Sequence, residues 1–192
     1  MLGREIYMKD DHIQKFVHDY LKSHVNKNDI MIDATVGNGN DTVLLATLAK
    51  HVIGYDIQAK AIEITRQKLH DLKVDNVTLN HQSFEQIEYD LDYRGVIFNL
   101  GYLPGGDKSI TTDPEVTLKT IHKIMKQMDI TDFILITTYP GHEAGLQEAN
   151  RLMDLIQTLD TSYLATTYQI HNRLHAPFVI IIEKQKPLKN AS

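Results

Sequence analysis

The chain has 192 residues, 42% hydrophobic and 23% charged, with a formal net charge of −5 and no cysteine. This length closes one sizeable core and predicts a single domain over residues 1–192; no apolar run approaches the ~18–20 residues of a membrane helix, and no basic-then-apolar signal layout opens the chain. Disulfides and thiolate chemistry are excluded, a cytoplasmic protein is expected, and the acidic balance argues against broad charge-driven nucleic-acid binding while leaving room for a local basic patch.

Residues 1–10 carry no clear pattern and are read as a disordered or vector-derived lead. From Asp11 onward, Ile13, Phe16, Val17, Tyr20 and Leu21 recur at helical spacing as one apolar stripe, ended by Asn26-Lys27-Asn28. Ile30-Met31-Ile32 predicts a buried strand. After it, Asp33 to Thr42 predicts a glycine-bearing turn, with Asn40, Asp41 and Thr42 opening a helix that continues over 43–48. A second strand is expected at 51–56, then a helix at 58–72 with Ala61, Ile62, Thr65 and Leu69 on one face. A short third strand at 77–80 and a turn at 81–84 precede a fourth strand at 95–100, which is continuously apolar as a doubly covered strand should be. Turn formers cluster at 101–108. Asp113-Pro114-Glu115 then reads as an N-cap, a proline at the first helical position and a favourable acid, followed by the stripe Leu118, Ile121, Met125 and Met128. A fifth strand at 133–138 and a helix at 145–159 lead to two strands, at 162–170 and 178–182, with no helix between them.

Alternation predicts a parallel sheet covered on both faces, and the terminal pair adds an antiparallel hairpin. The expected fold is therefore α/β and Rossmann-like, with seven strands in the plan of a class I S-adenosylmethionine (SAM)-dependent methyltransferase. The glycine turn supports this. Glycine lets backbone approach a ligand, and the N–H groups of the helix's first turn face it. A dinucleotide fingerprint would want a third glycine where Thr42 stands. Asp33 would repel a pyrophosphate but attract the ammonium of a methionine moiety. SAM carries that ammonium, a sulfonium and no phosphate, so SAM is favoured over NAD, with S-adenosylhomocysteine (SAH) as product.

Cofactor contacts should lie along the carboxyl ends of the strands. Asp33 is expected to engage the ammonium directly or through water, or else to stabilise the turn. Thr35 and Gly37-Asn38-Gly39 pass beneath the ligand, and Asn40, Asp41 and Thr42 open the helix, with Asp41 alternatively its N-cap. Asp56 is expected on the ribose hydroxyls, and Ile57 and Gln58 beside the adenine. Ser83 and Phe84 reach the base, Phe84 being equally readable as a core aromatic. No metal site is read. On the acceptor side, Asn99-Leu100-Gly101-Tyr102 places an amide, a turn and an aromatic after the fourth strand. Methyl transfer is an in-line displacement, and a side-chain carbonyl accepting an amine N–H beside an aromatic wall aims the lone pair. An alkyl amine must also lose a proton. His142, in Tyr139-Pro140-Gly141-His142, is the candidate base, with polar surface as its alternative. Tyr102 and Tyr139 either wall the pocket or pack, and the loop 171–177, with Arg173, binds phosphate, buttresses the active site or is an ordinary polar turn.

Asp33-Ala34-Thr35 with Gly37-Asn38-Gly39-Asn40-Asp41-Thr42, then Asn99-Leu100-Gly101-Tyr102-Leu103-Pro104-Gly105-Gly106, Tyr139-Pro140-Gly141-His142, and Asn172-Arg173 with Ala176-Pro177-Phe178, together resemble the YtqB-like methyltransferases. These were long labelled rRNA methylases and are now called MnmM; the resemblance runs over about residues 12–184. It implies methylation of the wobble base 5-aminomethyl-2-thiouridine in a tRNA anticodon stem-loop, giving 5-methylaminomethyl-2-thiouridine, in a homodimeric enzyme. Asn99, Tyr102 and His142 would be catalytic, Asn99 would also touch the cofactor, and Gly101, Leu103, Pro104, Gly105, Gly106, Tyr139 and Arg173 would meet the substrate. The substrate identity comes from the resemblance alone. The alternatives are a methyltransferase acting on rRNA or a small-molecule amine, a SAM-binding module without turnover, and last an NAD-dependent oxidoreductase.

Overall fold

Apolar side chains in the strands alternate between two sheet faces, and each face needs its own cover. The computed structural model describes residues 11–88, 92–101 and 112–187. Its elements are α1 (Asp11–His24), β1 (Ile30–Asp33), α2 (Asn40–Leu48), β2 (His51–Asp56), α3 (Ala59–Asp71), β3 (Val77–His81), a 3-10 turn (Phe84–Gln86), β4 (Gly95–Asn99), α4 (Pro114–Gln127), β5 (Phe133–Thr138), α5 (Glu143–Gln157), β6 (Tyr163–Gln169) and β7 (Phe178–Lys184). The strands form one sheet in the order β3-β2-β1-β4-β5-β7-β6. β1 to β5 pair in parallel, and β7 runs antiparallel to both of its neighbours. This is the Rossmann-like methyltransferase plan with its closing hairpin.

Period-two alternation divides the core. On β5, Phe133 and Leu135 join Ile13, Val17 and Leu21 of α1 and Leu45 of α2, whereas Ile134 and Ile136 join Ile121 and Ile124 of α4 and Leu152 of α5. β7 repeats the division, with Val179 and Ile181 on the first face and Ile180 and Ile182 on the second. Each such aliphatic side chain contributes roughly 1.5–3 kcal/mol by leaving water. α1 is pinned further at the hairpin, where Phe16 stacks on Tyr168 with ring centroids 4.1 Å apart and the Tyr20 hydroxyl donates to Glu183 at 3.2 Å.

The chain leaves β1 toward β2 and β3 but returns to β4 on the other side of β1. The strand order reverses there, so a crevice opens beyond the carboxyl ends of β1 and β4, where ligands of open α/β sheets bind. Asp33 and Asn99 end those two strands.

Three local expectations are corrected. Gly39, not Asp41, is the N-cap of α2, with φ 74°, and it supplies no side-chain cap. Met128, placed in the α4 stripe, is instead the extended C-cap of that helix and keeps its burial at 6% exposure. α5 begins at Glu143 because the side chain of His142 caps it. The readings made for residues 1–10 and for Tyr102, Leu103, Pro104, Gly105 and Gly106 lie outside the described residues.

Candidate active site

The glycine loop is held from three sides. Asp33, 1% exposed, accepts the Thr42 hydroxyl on Oδ2 at 2.6 Å and the Thr35 N–H on Oδ1 at 3.2 Å. Burial pushes its carboxyl up to about 7; the Thr42 bond opposes this and the neighbouring Asp41 charge adds to it. A group so enclosed ties β1 to the first turn of α2. Asp56 straps the loop from β2, with Oδ2 accepting the Gly37 N–H and Oδ1 the Gln58 N–H, each at 2.8 Å. Each of its oxygens keeps a further lone pair. From α3, Thr65 Oγ1 donates to the Gly37 carbonyl at 3.1 Å, and Lys68 Nζ donates to the Asn38 carbonyl and, at 2.8 Å, to Asn40 Oδ1. Gly37 and Gly39 have φ of 52° and 74°. A Cβ on Gly39 would stand 2.5 Å from Thr65 Oγ1, so α3 packs directly on the loop.

Of the residues expected around the adenine, Ile57 is 53% exposed and its carbonyl lies 3.0 Å from His81 Nε2. Ser83 Oγ accepts the Glu85 N–H at 3.2 Å and so caps the 3-10 turn. Phe84 is 8% exposed and meets Phe98 edge-on with centroids 5.5 Å apart, which is the core position.

On the acceptor side, β4 is buried throughout until its last residue, the exposed Asn99. The Asn99 N–H donates to Thr35 Oγ1 at 2.7 Å, which locks the ends of β4 and β1 together. Its side-chain Nδ2 donates to Asp41 Oδ2 at 3.3 Å. Tyr139, just beyond β5, hydrogen-bonds the Asn99 side chain; burial and then the Asp41 charge push its phenol upward, against that bond. A Cβ on Gly101 would lie 3.4 Å from the Tyr139 ring, so this turn backs onto the aromatic. His142 Nδ1 accepts the Gly145 N–H at 3.0 Å. Gly145 has no space for a side chain, because a Cβ there would run into the Tyr139 carbonyl. Arg173 is brought less close: it is exposed and lines, with Pro140, Asn150, Met153 and His175, a cavity of about 220 Å³ between α5 and the β6–β7 loop.

Residues 52–184 match the family described as "Putative rRNA methylase". The chain belongs to this family. It is 36% identical to a Clostridium thermocellum protein solved under that same description, with a TM-score of 0.84 over 89% of this chain and 96% of the other. It is equally 36% identical to SMU.1697c of Streptococcus mutans, solved in complex with SAH, with a TM-score of 0.82 over 96% and 99% of the two chains. Among curated proteins it is 31% identical over 180 residues to the chloroplastic tRNA (mnm(5)s(2)U34)-methyltransferase of Arabidopsis thaliana, covering 84% of this chain and 65% of that longer relative. The chain is a SAM-dependent methyltransferase.

The methyltransferase's own residues fit that cofactor. Asp41 and Asp56 flank the glycine loop, while Lys68 is occupied with the loop's own oxygens. Carboxylates suit a ligand bearing an ammonium and a sulfonium and would repel a pyrophosphate. Sequence reasoning passed over Thr65, Lys68 and His18, whose Nε2 lies 3.4 Å from Asp41 Oδ1. Thr65 carried a signal, as a hydroxyl on the inward face of α3 with Ala61, Ile62 and Leu69, all of them buried. Lys68 and His18 carried none, because both reach the loop only across helix packing.

Proposed function

We propose that this methyltransferase acts on the tRNA anticodon stem-loop and converts wobble 5-aminomethyl-2-thiouridine to 5-methylaminomethyl-2-thiouridine. The observation that carries the reading is Asn99, an exposed amide at the point where the strand order reverses, held by Asp41 and beside Tyr139. A carboxylate accepts hydrogen bonds and never donates them, so Asp41 draws the amide nitrogen to itself and leaves Oδ1 for an acceptor N–H. That oxygen aims an amine's lone pair into the crevice, with Tyr139 as the wall. The name of the Arabidopsis relative points to the same amine. A wobble base lies in a single-stranded loop, so placing it in a pocket costs less than flipping it from a duplex.

SAM, when bound, supplies a methyl group activated by its sulfonium. The remaining lone pairs of Asp56 would hold the ribose hydroxyls, and the backbone N–H groups from Gly37 to Asn40 would face the cofactor. In this reading His142 fixes the turn after β5 and leaves proton transfer to water. Its Nδ1 accepts the Gly145 N–H and is engaged at the start of α5.

The decisive experiment incubates the protein with labelled SAM and tRNA from cells blocked at the aminomethyl stage, then analyses the nucleosides. A new N-methyl on aminomethyl-thiouridine is the expected result. No transfer to this tRNA, with SAM binding confirmed by calorimetry, overturns the substrate. A net charge of −5 favours a small-molecule amine as the second reading, and the same labelled SAM with an amine panel tests it.

A further inference from the structure

Asp41 is the junction of the acceptor site, and α1 reaches it from outside the loop. His18 follows the buried Val17 on α1 and brings Nε2 to 3.4 Å from Asp41 Oδ1, with side chains 30% and 17% exposed. The Nε2 atom itself is shielded from solvent, and Asp41 is the carboxylate it faces, at a separation and angle short of a formed hydrogen bond. The other oxygen of Asp41 accepts from Asn99 Nδ2. The stack of Phe16 on Tyr168 and the Tyr20–Glu183 hydrogen bond keep α1 in place over the hairpin. A buried ring nitrogen facing a carboxylate is costly unless it carries a proton directed at that carboxylate. A small turn of the ring lets an Nε2–H meet this requirement, in the neutral tautomer or the imidazolium alike.

We propose that His18 is a positioning residue for methyl transfer: it holds Asp41, and through Asp41 it sets the rotation of the Asn99 amide. The inference rests on the reading that Asn99 receives the acceptor amine. Without His18, Asp41 loses the partner that fixes Oδ1, and its grip on Nδ2 loosens. Asn99 then turns its NH₂ toward the crevice for part of the time, a donor facing a donor, and the amine's lone pair is misdirected. SAM binding holds, because the Asp41 carboxylate stays beside the loop in a His18 variant and Asp56 with the Gly37 backbone forms a separate set of contacts.

The test compares His18→Leu, His18→Gln and Asp41→Asn with the wild type in kcat, tRNA KM and calorimetric SAM Kd. His18→Leu should lower kcat about tenfold or more, the scale of a small misplacement at a reacting centre, with SAM Kd within about twofold. His18→Gln, whose amide can donate to Asp41, should restore most of kcat. A second readout needs no turnover: the side-chain ¹⁵N-amide resonances of Asn99 in the SAM-free protein, assigned with Asn99→Ser. These should move to solvent-exposed values in Asp41→Asn and shift toward them in His18→Leu. Unchanged Asn99 resonances in His18→Leu overturn the proposal whatever the substrate is. So does a kcat loss matched by an equal loss of SAM affinity and not rescued by glutamine, which marks a merely structural role. If the wild type leaves the tRNA unmethylated while the resonances respond as expected, the substrate reading falls and the positioning pair stands.

Discussion

At the scale of single residues, one carboxylate does two tasks. Asp56 holds the glycine loop through two backbone N–H groups and keeps lone pairs for a ligand. Asp56→Ala should therefore weaken SAM binding by about 1.5–3 kcal/mol, the size of hydrogen bonds to a charged group. Calorimetry checks this, and an unchanged Kd removes Asp56 from the ribose. Gly39→Ala should be worse than a cofactor-contact variant, because the new Cβ meets both a left-handed backbone and Thr65. The backbone alone costs ~1–2 kcal/mol, so both the urea midpoint and SAM affinity should fall. A variant that keeps both would show that α3 yields at this point. The acids and glycines of the loop were legible because they need special backbone or bear charge. Ser83 and Phe84 were ambiguous because a cap, a core ring and a ligand contact use the same residue types.

Among the elements, the two helix starts on the acceptor side differ in how openly they announce themselves. α4 was legible to the residue: Asp113 Oδ1 accepts the Glu115 N–H at 2.9 Å, and Pro114 stands in the first turn. α5 was placed late because histidine is not among the favoured N-caps, yet the His142 ring performs that task. His142→Ala should cost about 1 kcal/mol of stability, and His142→Asn, a favoured cap, should retain both stability and turnover. Thermal melts and steady-state rates decide this. If the asparagine variant is stable but inactive, histidine is the base after all. The spacing of Tyr139-Pro140-Gly141-His142 does not distinguish a capping histidine from a catalytic one.

For the molecule as a whole, several buried acids set the dependence of stability on pH. Burial raises Asp33 from 3.8 to about 7 and Asp132 from 3.8 to about 6, the latter against the Asp129 N–H and the Arg94 charge. Burial also raises Glu148, which accepts from Thr112 and Thr117. Between about pH 4 and 7 the folded chain therefore holds more protons on these groups than the unfolded chain does. Their contribution is full below that window and is lost as pH rises through it. Urea unfolding should give a higher midpoint at pH 5 than at pH 8, and Asp33→Asn should shrink that difference. An identical difference in the variant would show that Asp33 is ionised in the fold at both pH values.

Periodicity and turn chemistry by themselves determined seven strands, five helices, the closing hairpin and the two ends of the crevice. These are local properties: alternation assigns each strand residue a face, and glycine, proline and acids mark where chain direction changes. Only the tertiary structure decided which of the acids along the crevice are buried within the loop and which remain open. It also brought His18 of α1, Asp41 of α2, Asn99 of β4 and Tyr139 beyond β5 into one contiguous polar group. The physical reason is that such contacts depend on the packing of helices across a sheet edge, and no spacing along the chain encodes the distance between side chains drawn from four separate elements.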